Sequence, residues 1–221
     1  MDFEKARFNM VEQQVRPWDV LSTDVLAVLS ETPREAFAPE QYKNIAYTDT
    51  RIPVSHFEDH TCSMAQPILD GRIMQEMHIT DDDLVLEIGT GTGYLTACMA
   101  KLARHVDSVD INPELTDIAE KNLAELGINN INLSTGDGAK GWDQKAYYDV
   151  IVLSGSLPDI PNNYKELLSI GGRLFVVTGD APAMTAYRVT RTAKDSWDIE
   201  ALFETCIDPL FHSKQAEEFV F

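Results

Sequence analysis

Val85-Leu86-Glu87-Ile88-Gly89-Thr90-Gly91-Thr92-Gly93, running directly into Tyr94-Leu95-Thr96-Ala97, joins three kinds of local structure within thirteen residues. The apolar run Leu84 to Ile88, broken only by Glu87, predicts a buried strand. Gly89, Gly91 and Gly93 predict a tight turn, because a residue without Cβ lets the backbone bend sharply and lets a ligand approach it closely. The residues from Tyr94 onward suit a helix, so the turn delivers the chain to a helix N-terminus. The glycine spacing excludes two common phosphate sites. A dinucleotide fingerprint needs glycine where Tyr94 stands, and a P-loop needs a Gly-Lys-Ser/Thr sequence that the stretch lacks.

Downstream, strand and helix alternate, which predicts an α/β fold: a doubly wound, mostly parallel, seven-stranded Rossmann-like sheet. Expected strands are 84–88, 106–111, 131–134, 149–153 and 173–178, with helices over 113–126 and around 163–169. Two further β-like runs, 185–192 and 197–204, flank the Lys194-Asp195-Ser196 turn and predict an antiparallel hairpin at the sheet edge. Upstream, residues 1–80 are expected to form an N-terminal helical segment with a substrate loop, and residues 81–221 the ligand-binding core. In that segment Phe3, Phe8, Met10, Val11, Val15 and Trp18 recur at roughly helical spacing until Pro17 interrupts. Ser22 or Thr23 is placed to cap a second helix. A loop is expected from Tyr47 to Ser63, carrying His56, Asp59, His60 and Thr61, before a helix over 68–78. The C-terminal stretch from Phe203 is apolar at Phe211, Phe219, Val220 and Phe221, which suits packing on the core or on a neighbour.

Composition narrows the function. The 36 acids against 18 bases give a net charge of −18, a field that repels phosphate backbones and disfavours nucleic acid as a partner. No apolar run is long enough to span a membrane, and the charged first 20 residues do not read as a secretory signal. Cys62, Cys98 and Cys206 are scattered and odd in number, without zinc-ligand spacing, which fits a reducing cytoplasm and no metal.

In open α/β sheets a ligand lies beyond the carboxyl ends of the strands. Asp110, with Ile111 beside it, closes the second strand, and Asp137 with Gly138 follows the third. Acid-x-Gly-x-Gly-x-Gly followed by these acids resembles the class I S-adenosyl-L-methionine-dependent methyltransferases. That resemblance implies a cofactor site built from Gly89, Thr90, Gly91, Gly93, Asp110, Ile111, Asp137 and Gly138. Asp110 would accept from the ribose hydroxyls and Asp137 from the adenine amino group. Glu87, also in this set, lies inside the strand and is placed to orient the loop amides.

Pro33-Arg34-Glu35-Ala36-Phe37, Ala46-Tyr47-Thr48-Asp49, Gly136-Asp137-Gly138-x-x-Gly141-Trp142 and Gly171-Gly172-Arg173-Leu174 carry a closer resemblance. They are similar to the protein-L-isoaspartate O-methyltransferases over about residues 10–180. The resemblance implies methylation of the α-carboxylate of isoaspartyl residues in damaged proteins, so that the partner is a protein or peptide. It departs at Ser63-Met64-Ala65-Gln66-Pro67, where Ala65 stands at the family's loop serine, and at Ser154-Gly155-Ser156, where the family has Thr-Ala-Ala. Ser63 is the candidate replacement hydroxyl, although alternate residues of an extended chain lie roughly 6–7 Å apart. Thr61, His60 and His56 are further candidates. Three readings follow: an isoaspartyl methyltransferase, a methyltransferase of the same fold with another, small carboxylate or hydroxyl acceptor, and a cofactor-binding protein without transfer activity.

Overall fold

A computed structural model of the chain describes residues 1–58, 60–142 and 147–213. The chain enters through Phe3–Met10 (α1), where the Asp2 carboxylate accepts from the Lys5 amide at 3.0 Å and so satisfies an orphan donor of the first turn. The helix widens over Val11–Val15 and tightens over Arg16–Trp18 at Pro17, which has no N–H to continue it. Met10, Val11 and Val15 are buried, whereas Phe8 and Trp18 face outward. Of the two candidate caps, Ser22 fills the role for Thr23–Glu31 (α2), accepting from the Val25 amide.

The expected loop before Ser63 is a correction. It folds as an antiparallel hairpin, Ile52–Phe57 (β1) and His60–Met64 (β2). Among its described residues only Ile52 and Met64 are buried, so the hairpin has no hydrophobic alternation to betray it. Asp59 lies outside the described residues. Pro67–Met77 (α3) then starts on a proline, pre-set for the first helical turn, and buries Leu69, Ile73, Met74 and Met77.

The core follows as Leu84–Ile88 (β3), Tyr94–Leu102 (α4), His105–Asp110 (β4), Pro113–Glu125 (α5), Ile131–Thr135 (β5) and Tyr148–Leu153 (β6). Asn162–Glu166 (α6), Leu168–Asp180 (β7), Ala183–Ala193 (β8) and Ser196–Thr205 (β9) complete it. The helix expected to reach Ser169 ends earlier because Leu168 already pairs with Tyr148 across β6 and β7. The seven-stranded sheet has the order β5-β4-β3-β6-β7-β8-β9, parallel through β7 and antiparallel beyond it.

Side chains alternate between the sheet's two faces, and so does the core. Val85, Val106, Val150, Val152, Phe175 and Val177 join the cluster that takes in α1 to α4. Leu86, Ile88, Val109, Ile151, Leu153 and Leu174 join Tyr164 and Leu168 in the other. The N-terminal segment is therefore continuous with the first core face. Arg173 fastens it further, donating to the Met77 carbonyl at 2.8 Å and to Asp83 at 2.7 Å.

Candidate functional site

The order of strands reverses between β3 and β6, and their carboxyl ends diverge there. Three backbone bonds lace this edge together: Gly89 N to Val109 O at 2.7 Å, Ser154 N to Ile88 O at 2.9 Å, and Gly136 N to Asp110 O at 2.8 Å. Beyond it opens a cavity floored by Gly89, Thr90 and Gly91 and walled by Asp110, Asp137 and Ser154.

Asp110 is a buried carboxylate, and each of its oxygens accepts from a backbone amide. Oδ2 accepts from the Gly91 amide at 2.8 Å and Oδ1 from the Asn112 amide at 2.9 Å. Burial raises its pKa, and the amides that bond it pull the other way. Asp137 lies nearer the surface. Burial works to raise it, but bonds from His212, the Ala139 amide and Lys140 together hold it below the ordinary carboxylate range.

Glu87 corrects the expectation that it orients the loop amides. Its carboxyl accepts from Ser108 at 2.6 Å and from Thr96, and Ser108 bonds onward to Thr90 at 2.6 Å. Asp110, rather than Glu87, holds a loop amide. Complete burial pushes Glu87 up to about 8, against the hydrogen bonds from Ser108 and Thr96. Among the described residues its second oxygen has no partner.

Two segments roof the cavity. The β1–β2 hairpin is moored where Ser55 donates to Glu114 at 3.0 Å and accepts from Asn112 at 3.3 Å. The strap 206–213 is tied to Ser156, whose amide donates to the Asp208 carbonyl at 2.9 Å and whose carbonyl accepts from Leu210 at 3.0 Å. Gly155 permits that approach, since a Cβ there would stand 2.7 Å from Leu210 Cδ2 and 2.9 Å from its amide nitrogen. Hairpin and strap meet through Phe57 and Phe211, edge to face at 5.2 Å, and through His212, which reaches both Glu58 at 3.2 Å and Asp137 at 3.0 Å. Burial raises the pKa of the cavity-lining Cys62 thiol to about 11, and Asp110 adds to the rise.

Arg34, from the Pro-Arg-Glu-Ala-Phe stretch, is the strut beneath the loop. It is fully buried, bonds Asp70 at 2.7 Å and the Ala46 carbonyl at 2.8 Å, and donates to the Ala65 carbonyl. Its guanidinium also lies 4.5 Å from the Tyr94 ring centroid. Burial raises the pKa of Asp70, and Arg34 opposes the rise.

Ser63, Ala65, Gly89, Thr90, Gly91, Asp110, Ile111, Asp137 and Gly138 all line this one cavity; Glu87 and Gly93 do not. Gly93 instead caps α4, where its missing Cβ leaves room for Ala119 and Leu123 of α5. Ser63 lies in β2, opposite Pro53. Among the other loop candidates, Thr61 lines the cavity but pairs with His56 at 3.2 Å, and His60 packs on Phe211. A second cavity opens beside the first and shares Arg51, Thr61, Ser63, Gln66 and the strap residues Asp208 to Phe211 with it. Arg51 and Asp208, joined at 2.6 Å across this junction, were not predicted as site residues. Neither carries a motif: Asp208 stands among the apolar residues Ile207, Leu210 and Phe211, and Arg51 lies within the expected 47–63 loop. The expected apolar residues Phe219, Val220 and Phe221 lie outside the described residues.

This sheet, with its glycine turn after β3 and acids after β4 and β5, defines an S-adenosylmethionine-dependent methyltransferase of the Rossmann-like class. The family model described as protein-L-isoaspartate(D-aspartate) O-methyltransferase matches residues 6–215. The chain is 36% identical to protein-L-isoaspartate O-methyltransferase 1 of Rhodopseudomonas palustris, over 94% of this chain and 84% of that one. It is 38% identical to the Protochlamydia amoebophila protein-L-isoaspartate O-methyltransferase, covering 86% and 87% of the two chains. A crystal structure of a Plasmodium falciparum protein of that description, in complex with S-adenosyl-L-homocysteine, superposes with a TM-score of 0.79 over 95% of this chain and 98% of that one, at 18% identity. Another structure, titled protein-L-isoaspartate O-methyltransferase, gives 0.78 at 26% identity over 93% of this chain and 65% of its own. The chain belongs to the protein-L-isoaspartate O-methyltransferase family. Among the described residues no helix is long and apolar enough to cross a membrane, and no cluster of His, Cys, Asp and Glu forms a metal site.

Proposed function

We propose that this chain transfers a methyl group to the α-carboxylate of isoaspartyl residues in proteins and peptides. The observation that carries the reading is the second cavity, which runs into the first through shared walls and gives an extended acceptor a path to the cofactor.

The first cavity fits S-adenosylmethionine. A Cβ at Gly91 would meet nothing within 4 Å, so the floor is open to a ligand. Asp110 keeps further lone pairs for ribose hydroxyls after accepting its two amides. The Ser154 hydroxyl, on the same wall, is buried with no partner among the described residues. When bound, the cofactor supplies an electrophilic methyl group. We assign its binding to residues 81–221, with Gly89, Thr90, Gly91, Asp110, Ile111, Asp137 and Gly138 around it. Residues 1–80 supply the acceptor's side through the hairpin. Gly93 and Glu87 support the loop from behind.

The acceptor carboxylate is ionised at neutral pH, so the chain need provide no strong general base. Its contribution is alignment and exclusion of water, which hairpin and strap supply by closing over the junction. Ser63 is the hydroxyl nearest in sequence to Ala65 on the acceptor side, and Arg34 fixes the Ala65 carbonyl from beneath. A cytoplasmic setting suits Cys62, Cys98 and Cys206, all of which are free thiols.

Labelled S-adenosylmethionine, incubated with an isoaspartyl peptide and the matching aspartyl peptide, tests the reading. Label in the isoaspartyl peptide alone is expected. Label in neither peptide, with cofactor binding intact by calorimetry, would sink it.

A further inference from the structure

A carboxylate acceptor must enter a strongly negative protein. The cavities it would cross are lined by Asp49, Glu58, Asp70, Asp110, Asp137 and Asp208. Among the described lining residues the permanently charged cations are Arg34 and Arg51. Arg34 is fully buried and already committed to Asp70 and two carbonyls. Arg51 is different: its side chain is 44% exposed, and it stands where the two cavities join.

The sole hydrogen-bonding partner of Arg51 among the described residues is Asp208, at 2.6 Å and 55% exposed. An ion pair this exposed is screened by water and salt and is cheap to open. The backbone of Asp208 is nevertheless fixed, because Ser156 bonds its carbonyl and the strap's next turn. The strap can therefore release the guanidinium without leaving its place. A guanidinium bonded to one carboxylate oxygen leaves the other free to attack, and it fixes the plane of the group.

We propose that Arg51 receives the acceptor's carboxylate and that Asp208 is the resting partner the acceptor displaces. This makes Arg51 the specificity residue for a carboxylate, at the open end of the hairpin whose other strand leads into Ala65, which stands at the family serine. The assignment rests on the function proposed above.

Steady-state kinetics on the full chain with an isoaspartyl peptide, for wild type, Arg51→Gln, Arg51→Lys and Asp208→Asn, test it. Arg51→Gln is expected to raise KM about tenfold or more, the loss of one charge-assisted hydrogen bond, while S-adenosylhomocysteine affinity stays within about twofold. Arg51→Lys restores part of the loss, and Asp208→Asn lowers KM by removing the competitor. An unchanged KM in Arg51→Gln overturns the assignment. So does a rise in KM for Asp208→Asn equal to that for Arg51→Gln, which would make the pair a strut. Wild type that methylates no isoaspartyl peptide overturns the functional reading and this assignment with it, whereas wild-type transfer with an indifferent Arg51→Gln overturns the assignment alone.

Discussion

Asp110 does two things with one carboxylate: it pins the Gly91 and Asn112 amides, and it presents its remaining lone pairs to the cavity. Asp110→Ala removes both functions. We expect S-adenosylmethionine binding to weaken by about 2–4 kcal/mol, read by calorimetry, from lost bonds to a charged acceptor and a loosened floor. Glu87 carries a different signature. Its folded pKa of about 8 lies above the ordinary carboxyl value of 4.5, so the folded state binds the proton more tightly. Its contribution to stability is full below the unfolded pKa and is lost as pH rises through the folded one. Melting temperature measured from pH 4.5 to 8 should therefore fall more steeply for wild type than for Glu87→Gln; parallel curves would remove Glu87 as the cause. Asp110 was legible because an acid ending the second strand of such a sheet has one place to point. The partners of Glu87 were not, since Ser108 stands beside it only through the register of β3 and β4.

At the scale of the element, Gly91 and Gly93 separate ligand from fold. Both have positive φ, +56° and +90°, so any Cβ adds left-handed strain of about 1–2 kcal/mol. At Gly91 the new methyl meets no protein atom within 4 Å, whereas at Gly93 it comes to 3.2 Å from Ala119 and Leu123. Gly91→Ala is expected to lose about tenfold or more in cofactor affinity with little further loss of stability. Gly93→Ala should lose about 1–3 kcal/mol more in urea unfolding, from overpacking of α4 against α5. If both variants lost stability equally, the division between floor and support would be wrong. The βα units were legible because β3 and β6 are mostly apolar runs and residues such as Pro113 mark where a helix begins. The hairpin β1–β2 was not, because it docks through Ser55, Asn112 and Glu114, polar contacts that leave no periodic trace.

The whole molecule carries −18, and its acceptor cavity carries acids of its own. Long-range repulsion should penalise isoaspartyl peptides with acidic flanks and favour those with basic flanks. Raising the ionic strength from about 10 mM to about 150 mM shrinks the screening length from roughly 30 Å to 8 Å. KM should then fall for an acidic-flanked peptide and rise for a basic-flanked one; identical salt responses would show that the global field is not felt at the site. The mostly parallel sheet followed from the βα alternation, but the strap did not. Its attachment is a pair of backbone bonds to Ser156 and the space left by Gly155, neither of which hydrophobic pattern encodes. The family match shows that the changed loop around Ala65 belongs to a member of the isoaspartyl methyltransferases.

Cys62 faces the cavity in which an alkylating reagent would be kept. A thiolate there would be a far better nucleophile than the carboxylate the enzyme serves, and it would consume the reagent in a single self-inactivating event. With the thiol raised to about 11, only about one molecule in ten thousand carries that thiolate at pH 7. The burial and the neighbouring Asp110 that shape the pocket thus also hold Cys62 in its protonated, weakly nucleophilic form.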